Sequence, residues 1–290
     1  MLKKISELDE MSKVNNNDVL PILDSANGKT KKILLSKLFS GLIPQNAGAH
    51  NSIYRGQDIT DLFYDGTLSK QIAAGTFDDI FIGDYIIGRN SNRKYIVADI
   101  NYRLHCGDTE CTTHHVLMIP EKIMGTAKMN DTNITTEAYI GSKMYTEYLA
   151  PFKTIIKNDF ETSHILTHKE HFQNAVTNGY SSGGTWYDSD IDLMNECMVY
   201  GSYIFAPKTH NQGSTNTTVP NLYTIDKSQL SLFRLRPDLI VAFSDSGIRN
   251  AWWLRDVVSS SFFAHVFSHG GASCDAASNS SGVRPAFLIY

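Results

Sequence analysis

Histidine and cysteine residues crowd one short stretch of the sequence, and both residue types are ligands for zinc and iron. The stretch contains His105, Cys106, Asp108, Glu110, Cys111, His114 and His115. No second paired Cys or His module follows at the spacing that zinc folds use. We therefore favour ordinary loop and strand residues over a metal site here. A disulfide between Cys106 and Cys111 outside the cell is a further alternative.

Three histidines further along the chain have the spacing of one helical face. His164, His168 and His171 are separated by four and three residues. The Glu that accompanies such a pair in hydrolytic zinc sites is missing from the position beside His164. Thr167 and Glu170 have the spacing of a capping box. The pattern therefore predicts a helix over residues 167–176 with a polar, histidine-bearing face.

Two other motifs begin like ligand sites and stop short. Asp188, Asp190 and Asp192 resemble the start of a calcium loop, but its glycine and distal Glu are absent. A Gly-rich run at 181–185 has no Lys after it, as a phosphate-binding loop requires. We interpret the first as a helix cap formed by Asp188 or Asp190, and the second as a loop. No Ser/His/Asp or paired-carboxylate arrangement stands out, so the sequence predicts no catalytic residues, no metal and no cofactor.

The last forty residues, from Ala251 to Tyr290, are the most unusual part of the chain. Between Leu254 and Tyr290 there is no Lys, Glu, Gln, Met or Trp. The residues present are close to the set that Asn codons reach when their adenines are replaced. The stretch 268–281 is too polar and too small for a core strand and does not alternate. A buried, turn-rich β end is the alternative, since it would also lack Lys, Glu and Gln. A frame of larger residues brackets the stretch: Trp252, Trp253, Arg255, Gly282, Arg284 and Pro285.

The run WWLR…FAHV…GVRPAF resembles the variable region of proteins that retroelements diversify by adenine-directed mutagenesis, a class that includes phage tropism determinants. In relatives of that class an Asn-rich segment lies between the WLR and GVRP motifs. The resemblance implies that the following positions vary here: His265, Phe267, Ser268, His269, Gly271, Ser273, Cys274, Asp275 and Ala276. The phrases between them, such as 263–264, Val266, Gly270 and 277–279, correspond to fixed text.

The same resemblance implies a fold and a set of partners. It places a C-type-lectin-like domain over residues 75–290, with the variable segment at about 244–281 and residues 288–290 closing the sheet near residues 80–87. The varying positions together with Phe262 would contact a host cell-surface receptor, protein or glycan, and a homotrimer is expected. The Arg-Gly-Gly-Ser-Trp signature of formylglycine-generating relatives is absent, so their catalysis is not implied. The calcium-dependent sugar signatures Glu-Pro-Asn and Trp-Asn-Asp are absent too.

The frame residues are expected to hold the variable segment in place. Trp252 and Trp253 are large aromatic neighbours, and we expect one to pack into the core and the other to line the binding face. Arg255 and Arg284 are expected to make structural hydrogen bonds around the frame, beside Gly282 and Pro285.

The N-terminal part reads as a separate small module over residues 1–43. A helical stretch at Ile5–Met11 precedes a strand at 19–24, an Asn27-Gly28 hairpin turn, a returning strand at 31–35 and a helical turn at 36–39. Its pattern resembles the N-terminal segments of phage tail-fibre and baseplate-attached proteins, which implies attachment to tail proteins. Residues 44–74 read as a linker followed by a short β/helix segment.

Short apolar runs separated by turn residues predict a β-rich middle of the chain. Strands are expected at 80–82, 85–87, 94–100, 115–120 and 239–243, and helices at 69–74 and 142–150. Residues 193–200 fit a helix or a strand, and 211–218 fit a loop. The sequence thus predicts an α+β, β-rich chain.

Composition excludes several classes of partner. The net charge is −4 with a pI near 6.2, which suits neither polynucleotides nor anionic membranes. No apolar run reaches ~18 residues, so no membrane insertion is expected. The acidic residues after Lys4 leave no room for a signal peptide, so we expect folding in a cytoplasm with free thiols.

These observations together predict a phage tail adhesin of the virion, assembled in the host cytoplasm, which binds a host receptor through a hypervariable C-terminal surface. Two alternatives remain at this stage. One is a structural tail or baseplate protein without variable binding, and the other is a tail-associated glycan-active enzyme.

Overall fold

The structure is a computed structural model that describes residues 18–34, 43–177, 180–181, 184–205 and 228–290. The chain divides into two compact units, Met1–Gln45 and Asn46–Tyr290. Both helices and strands are present, and strands predominate, so the predicted β-rich α+β class is confirmed. The predicted helical stretches at 5–11 and 36–39 and the loop at 211–218 lie outside the described residues.

The described part of the first unit is a β-hairpin. Strand β1 (Val19–Asp24) pairs antiparallel with β2 (Lys29–Leu34). The turn between them is the predicted Asn27-Gly28 turn: Gly28 has a φ of +67° and donates its N–H to the Asp24 carbonyl at 2.8 Å. Asp24 also accepts hydrogen bonds from Ala26 and Asn27 at the same turn. The hairpin prediction is therefore confirmed.

The second unit contains short helices and sixteen strands among its described residues. The α-helices are α1 (Ala47–His50), α2 (Thr60–Tyr64), α3 (Thr67–Ala74), α4 (Ala150–Phe160), α5 (Glu196–Tyr200) and α6 (Ser231–Leu235). A π-helical turn covers Met144–Tyr148, and 3-10 turns cover Thr162–His164 and Pro237–Ile240. None of the helices in the described part of the chain is long and apolar enough to cross a membrane.

The strands of the second unit follow in chain order. They are β3 (Tyr85–Ile87), β4 (Lys94–Ile100), β5 (Val116–Pro120), β6 (Thr126–Lys128), β7 (His168–Gln173), β8 (Val176–Thr177), β9 (Tyr180–Ser181), β10 (Gly184–Ser189), β11 (Ile191–Leu193), β12 (Ala242–Phe243), β13 (Arg249–Asn250), β14 (Trp252–Val257), β15 (Phe262–Val266), β16 (Ala272–Ala276), β17 (Ser280–Gly282) and β18 (Pro285–Ile289). Three pairs form small separate ribbons: β7 with β10, β8 with β9, and β12 with β13.

Residues 46–74 belong to the second unit, which therefore begins before the expected boundary at residue 75, and the short helix expected at 69–74 is present as α3. Ile59, Phe63, Leu68 and Ile72 are almost fully buried in its core. Leu68 and Ile72 are four residues apart on α3, so both face the core, and Gly75 ends the helix with a φ of +70°. The turn-like composition of residues 43–51 predicts a linker, but it does not indicate that the residues after it pack into the core of the second unit.

The first of two five-stranded sheets has the order β11-β18-β5-β4-β3, and its pairs are antiparallel. The last strand, β18, lies between β11 and β5. It is therefore in the same sheet as residues 85–87 but is separated from them by β4 and β5, which corrects the expected pairing. Residues 80–82 form no strand, and only Ile82 makes an isolated bridge, to Tyr54.

The second sheet has the order β16-β15-β14-β17-β6. Its pairs are antiparallel except for β14 with β17. Strand β14 is buried along its whole length. Trp252 packs into one hydrophobic core and the adjacent Trp253 into the other, because successive side chains of a strand point to opposite faces. One strand thus joins both cores.

The predicted helix at 167–176 is wrong, because residues His168–Gln173 form β7. His168, Glu170 and Phe172 lie on one side of this strand, and all three are buried. The Thr167–Glu170 spacing resembles a capping box, but the Glu170 carboxylate binds arginines in the interior instead. His168 and His171 consequently do not share a helical face.

Other local predictions divide between confirmed and corrected. The helix expected at 142–150 is present and continues through α4 to Phe160. Residues 193–200 contain both candidates, the end of β11 and then α5. The strand expected at 239–243 begins instead as a 3-10 turn that starts at Pro237, and the strand itself covers Ala242–Phe243.

A buried ion cluster connects β7 to two distant parts of the chain. One oxygen of Glu170 pairs with Arg103 at 2.7 Å and the other with Arg255 at 2.7 Å. His168 lies 3.1 Å from the first oxygen. Burial alone would raise the pKa of Glu170, but Arg103 and Arg255 hold it well below its usual range. The carboxylate is therefore charged at neutral pH.

We expect Glu170→Gln to lower the free energy of unfolding at pH 7 by about 3–5 kcal/mol, because it leaves two buried guanidinium groups without their carboxylate. A carboxyl group with a lowered pKa in the folded state stabilises the protein above its unfolded pKa of about 4.3 and loses this contribution as the pH falls below it. The difference between the variant and the wild type should therefore shrink in acid.

Urea unfolding at neutral and acidic pH measures this difference. Glu147→Gln is the matched control, because Glu147 is half exposed and its ion pair is with Lys143 on the same helical turn. It should change the unfolding free energy by no more than ~0.5 kcal/mol. Equal stabilities of wild type and Glu170→Gln at pH 7 would contradict the role of the cluster.

Candidate functional site

The candidate site is the display hairpin, which we define as β15, β16 and the turn between them. Its register pairs His265 with Ser273 and Phe263 with Asp275. Residues that are directly opposite in an antiparallel pair share a face of the sheet. The side chains of these four residues therefore lie on the same face as Trp253, which pairs with His265 from the other side.

A tight turn fixes the end of the display hairpin. Phe267 donates its N–H to the Gly271 carbonyl at 2.8 Å, and Gly270 donates to the Phe267 carbonyl at 2.8 Å. Gly270 has a φ of +90°. This is a type I turn followed by a left-handed residue, a common three-residue hairpin connection. Gly270 is therefore required by backbone geometry.

The neighbouring Gly271 carries no such requirement. Its φ is not in the left-handed region, and the three atoms nearest to an added Cβ all belong to the ring of His269, the closest at 2.6 Å. That ring is exposed and ends a side chain that can rotate. At Gly270 an added Cβ would in addition meet Val241 at 3.1 Å. The turn thus contains one glycine fixed by the backbone and one open to replacement.

A row of aromatic rings runs from the core to the surface along this face. The ring centroids of Trp253 and His265 are 5.8 Å apart, those of His265 and Phe267 6.1 Å, and those of Phe267 and His269 4.9 Å. Trp253 is fully buried, whereas Phe267 is 45% exposed and His269 is exposed. The exposed rings therefore rest on a buried support.

The positions predicted to contact a receptor and the positions predicted to stay fixed differ in how deeply their side chains are buried. Phe262, Phe267 and His269 are exposed. The partly exposed contact residues are Ser268, Gly271, Ser273, Cys274, Asp275 and Ala276. The fixed positions Phe263, Ala264, Val266, Ala277, Gly282, Val283, Arg284 and Pro285 are buried. Gly270, Ser278 and Asn279 are exceptions, since they are partly or fully exposed and belong to turns.

His265 departs from its predicted place on the surface. It is only 5% exposed, because strand alternation directs its ring onto Trp253 and beneath Phe267. Burial lowers its pKa, and the nearby Asp275 opposes that change. His265 is therefore a neutral, buried member of the hairpin and not an exposed contact.

Strand β16 is an edge strand of the second sheet, and its C-terminal end is closed by a side chain. Asp275 accepts hydrogen bonds from the Ala276 N–H at 2.8 Å and from the Asn279 amide at 2.7 Å. Cys274 is partly exposed, and burial together with the charges of Asp275 and Glu196 raises the pKa of its thiol. The thiol is therefore protonated at neutral pH.

Both tryptophans of the frame are in the interior, which corrects the expectation that one of them lines the binding face. Trp252 and Trp253 are fully buried. The indole N–H of Trp252 donates to the Ile240 carbonyl at 3.1 Å, and that of Trp253 donates to the Ala127 carbonyl at 2.8 Å. Strand β14 is covered on both faces, so neither indole can reach the surface.

The two frame arginines make structural hydrogen bonds, as predicted. Arg284 is fully buried and donates to the carbonyls of Pro120, Leu239 and Glu121 at 3.0, 2.9 and 3.2 Å. Its guanidinium also lies 5.3 Å from the centre of the Trp252 ring. Burial lowers the pKa of Arg284 to about 10, so it stays charged at neutral pH. Arg255 donates to the Leu193 carbonyl in addition to Glu170.

Gly282 and Pro285 complete the frame by close packing. A Cβ added at Gly282 would lie 2.6 Å from Ile123 and 2.8 Å from the Ala251 carbonyl oxygen. Only glycine fits there without movement of the backbone. Pro285 is buried at the start of β18, where it pairs with Leu193.

Sequence reasoning missed a loop that clamps both ends of the display hairpin. Thr135 donates its N–H to the Ser260 carbonyl, just before β15. Asn133 accepts from both the N–H and the hydroxyl of Ser278, just after β16. Asn130 donates its N–H to the Ala277 carbonyl. The polar text at 130–135 indicates a loop, but nothing in it indicates where that loop docks.

The same loop borders a surface cleft of about 250 Å³. Its lining is polar apart from Ile134, which is half exposed. The lining residues are Asn130, Asp131, Thr132, Ile134, Thr136, Glu137, Gly141, Lys143 and Thr146. The cleft adds a fixed polar surface beside the loop that holds the display hairpin.

The candidate metal ligands do not converge. His105 pairs with Glu110, Cys106 and Cys111 direct their thiols to the carbonyls of Leu104 and Thr113, and the His115 ring accepts the Arg103 N–H. Within the part of the chain that the structure describes, no group of three or more His, Cys, Asp or Glu residues could hold a metal ion.

The acidic run after the Gly-rich loop pairs with lysines. Asp188 lies in β10 and pairs with Lys169, and Asp190 pairs with Lys153 and Lys157. Burial would raise the pKa of Asp190, but the lysines lower it to about 2. Neither aspartate caps a helix, which corrects the prediction, because the residues that follow form β11.

Comparisons with protein-family models, with curated proteins and with solved structures found no match to this chain.

The two turn glycines should respond differently to the same substitution. Gly270→Ala should lower the free energy of unfolding by about 1–2 kcal/mol, because an L-residue is strained in the left-handed region. Gly271→Ala should change it by no more than ~0.5 kcal/mol, since only the His269 ring must move. Chemical denaturation of both variants measures the contrast. Equal losses would mean that the turn has a different geometry.

Proposed function

We propose that this chain is a phage tail adhesin that binds a host cell-surface receptor through the display hairpin. The observation that carries the proposal is the separation by burial within one short segment. Apart from His265, the positions expected to vary have exposed or partly exposed side chains, and the expected fixed positions are mainly buried. A segment whose identity changes must leave the core untouched, and this distribution allows that.

We further propose that residues 46–290 form a C-type-lectin-like domain of the kind that retroelements diversify. Three features support this. The unit contains two five-stranded sheets, it also contains helices, and its last strand returns to the sheet that contains β3 and β4. The WWLR and GVRP phrases fall on buried positions of β14 and on the approach to β18. The resemblance of sequence and this arrangement support each other.

Receptor binding on such a surface depends on a rigid backbone. The display hairpin is held by β14 on one side and by the 130–135 loop at both ends. A surface that is ordered before binding loses less conformational entropy when it meets its partner. Several copies in a homotrimer would raise the overall avidity without any new contact.

The N-terminal hairpin supports attachment to other tail proteins. Val19, Leu20, Leu23 and Leu34 are 39–69% exposed, and they lie on both faces of β1 and β2. A single two-stranded hairpin is only marginally stable by itself. Exposed apolar side chains on such a hairpin favour burial against another protein chain, which we propose to be a phage tail or baseplate protein.

Sequence variation among clonal isolates tests the proposal at the genetic level. Substitutions should concentrate at Phe267, Ser268, His269 and the other expected positions of β15 and β16, and should be absent from Trp252 and Pro285. A reverse transcriptase gene and an Asn-codon-rich template repeat should lie nearby. Deep sequencing that shows substitutions spread evenly along the chain would end this hypothesis and favour a structural tail protein.

A paired comparison of variants tests the division between frame and display. Replacing Phe267 and His269 together by Ala should shift stability by no more than ~0.5 kcal/mol per site, because both side chains are exposed. It should abolish adsorption to the original host, since exposed aromatic anchors dominate binding energy. Trp253→Ala should instead cost about 3–5 kcal/mol of stability.

Melting curves and adsorption assays on the same purified variants give both readouts. If the Phe267/His269 variant unfolds, the display hairpin is part of the core and the surface interpretation fails. If it folds and still adsorbs normally, these rings are not the receptor contacts.

A further inference from the structure

His265 is a buried residue of the display hairpin whose two ring nitrogens form no hydrogen bond with the described residues. Its side chain is 95% buried, and neither ring nitrogen has a hydrogen-bond partner among the described residues. Buried polar groups in folded proteins are almost always hydrogen-bonded, and an unpaired one is costly. Phe or Leu at this position would avoid that cost, so folding does not account for a histidine here.

The position of the ring ties the unused nitrogens to the proposed binding surface. His265 lies between the buried Trp253 and the exposed Phe267 in the aromatic row. Ser273 is its direct partner on β16 and shares its face. The ring of Phe267, whose centroid lies 6.1 Å from that of His265, is 45% exposed. Rotation of such an exposed ring is fast, and side-chain rearrangement on binding is common.

We propose that His265 is a specificity-determining contact for a ligand hydroxyl group, and that the ligand of the display hairpin is a neutral saccharide. This inference rests on the proposed adhesin function. When a ligand displaces the ring of Phe267, the imidazole offers one N–H donor and one nitrogen acceptor. A sugar hydroxyl can both donate and accept, so it matches either nitrogen.

The charges around the ring favour a neutral ligand over an anionic one. No Lys or Arg occurs between Phe262 and Ala276, so the hairpin has no cation to pair with a carboxylate, sulfate or phosphate. Its one carboxylate, Asp275, is on the same face as His265 and is already bonded to Asn279. Burial keeps the imidazole neutral because it lowers the pKa of the ring.

The aromatic rings favour a saccharide among neutral ligands. Phe267 and His269 are 4.9 Å apart with their planes tilted by 53°, and both are exposed. Aromatic side chains with a polar neighbour suit a ligand that has apolar C–H faces and hydroxyl edges. A protein receptor that presents an extended segment is the competing class, and the experiment below includes it.

The test uses full-length protein on an array of immobilised neutral and acidic saccharides, in parallel with intact cells from a panel of bacterial strains. His265→Phe keeps an aromatic ring and removes both nitrogens. His265→Gln keeps a donor and an acceptor without the ring. His105→Phe, at an exposed histidine outside the display hairpin, is the matched control for the substitution itself.

The wild-type protein should bind one or more neutral saccharides. It should not bind any acidic saccharide selectively. His265→Phe should weaken that binding by about 10–100-fold, since the ligand hydroxyl is left unpaired. The melting temperature of the same variant should be unchanged or should rise by up to about 4 °C, because the substitution removes an unsatisfied buried polar group. His265→Gln should bind more tightly than His265→Phe, and His105→Phe should bind like the wild type.

Several results would overturn the inference. They are equal binding by His265→Phe and wild type, selective binding of acidic saccharides, or binding to cells that protease treatment abolishes while the array stays blank. In these cases the adhesin proposal survives, because the wild type still binds through its surface. If wild type binds neither the array nor any cell, both the inference and the adhesin function fail.

Discussion

Strand β14 is buried on both faces, and the rest of the second unit is arranged around that constraint. Trp252 and Trp253 are adjacent in sequence, so they must point in opposite directions, and each enters a different core. A strand in this position cannot bring a polar side chain to water. Arg255 and Asp256 are therefore bonded internally, Arg255 to Glu170 and the Leu193 carbonyl, and Asp256 to the Glu196 N–H.

The same constraint explains how the display hairpin is supported. The register between β14 and β15 is irregular between Trp253 and Val257, so the residues in between leave the regular ladder. Because Arg255 lies in this irregular part of the strand, its backbone N–H donates a hydrogen bond to the Met194 carbonyl instead of to β15. Strand β15 therefore pairs with a neighbour that is anchored in two cores and in an ion cluster. Such a break in the ladder can redirect side chains without ending the sheet.

The sequence predicts what depends on local patterns and fails where distant partners decide. The hairpin at Asn27-Gly28, the strands at 85–87 and 94–100, and the structural role of Arg284 follow from turn chemistry, apolar runs and residue type. The strand at 168–173 could not be predicted in this way. Its sequence has helical spacing, but Glu170 forms ion pairs with Arg103 and Arg255, which lie 67 and 85 positions away in the chain. Their ionic contacts outweigh a weak local preference.

The candidate site shows the same limit on a smaller scale. Residue type and codon relationship mark the positions that are expected to vary, and most of them have exposed or partly exposed side chains. Neither property gives the pairing of β15 with β14, so His265 could not be recognised as buried from the sequence. The clamp formed by Asn133 and Thr135 was invisible for a similar reason, since its partners follow more than a hundred residues later.

We expect β16 to tolerate substitution, because that strand lies at the edge of the sheet. Its residues are small and partly exposed, and they pair only with β15. Side chains at sites that share no partner usually contribute additively to stability, and exposed ones contribute little. A change at Ser273 or Ala276 therefore has few ways to reach the cores. His265 is different, because its ring connects Trp253 with Phe267. A change there alters both the packing over β14 and the underside of the exposed surface, so under the proposed function stability and receptor binding would change together at this position.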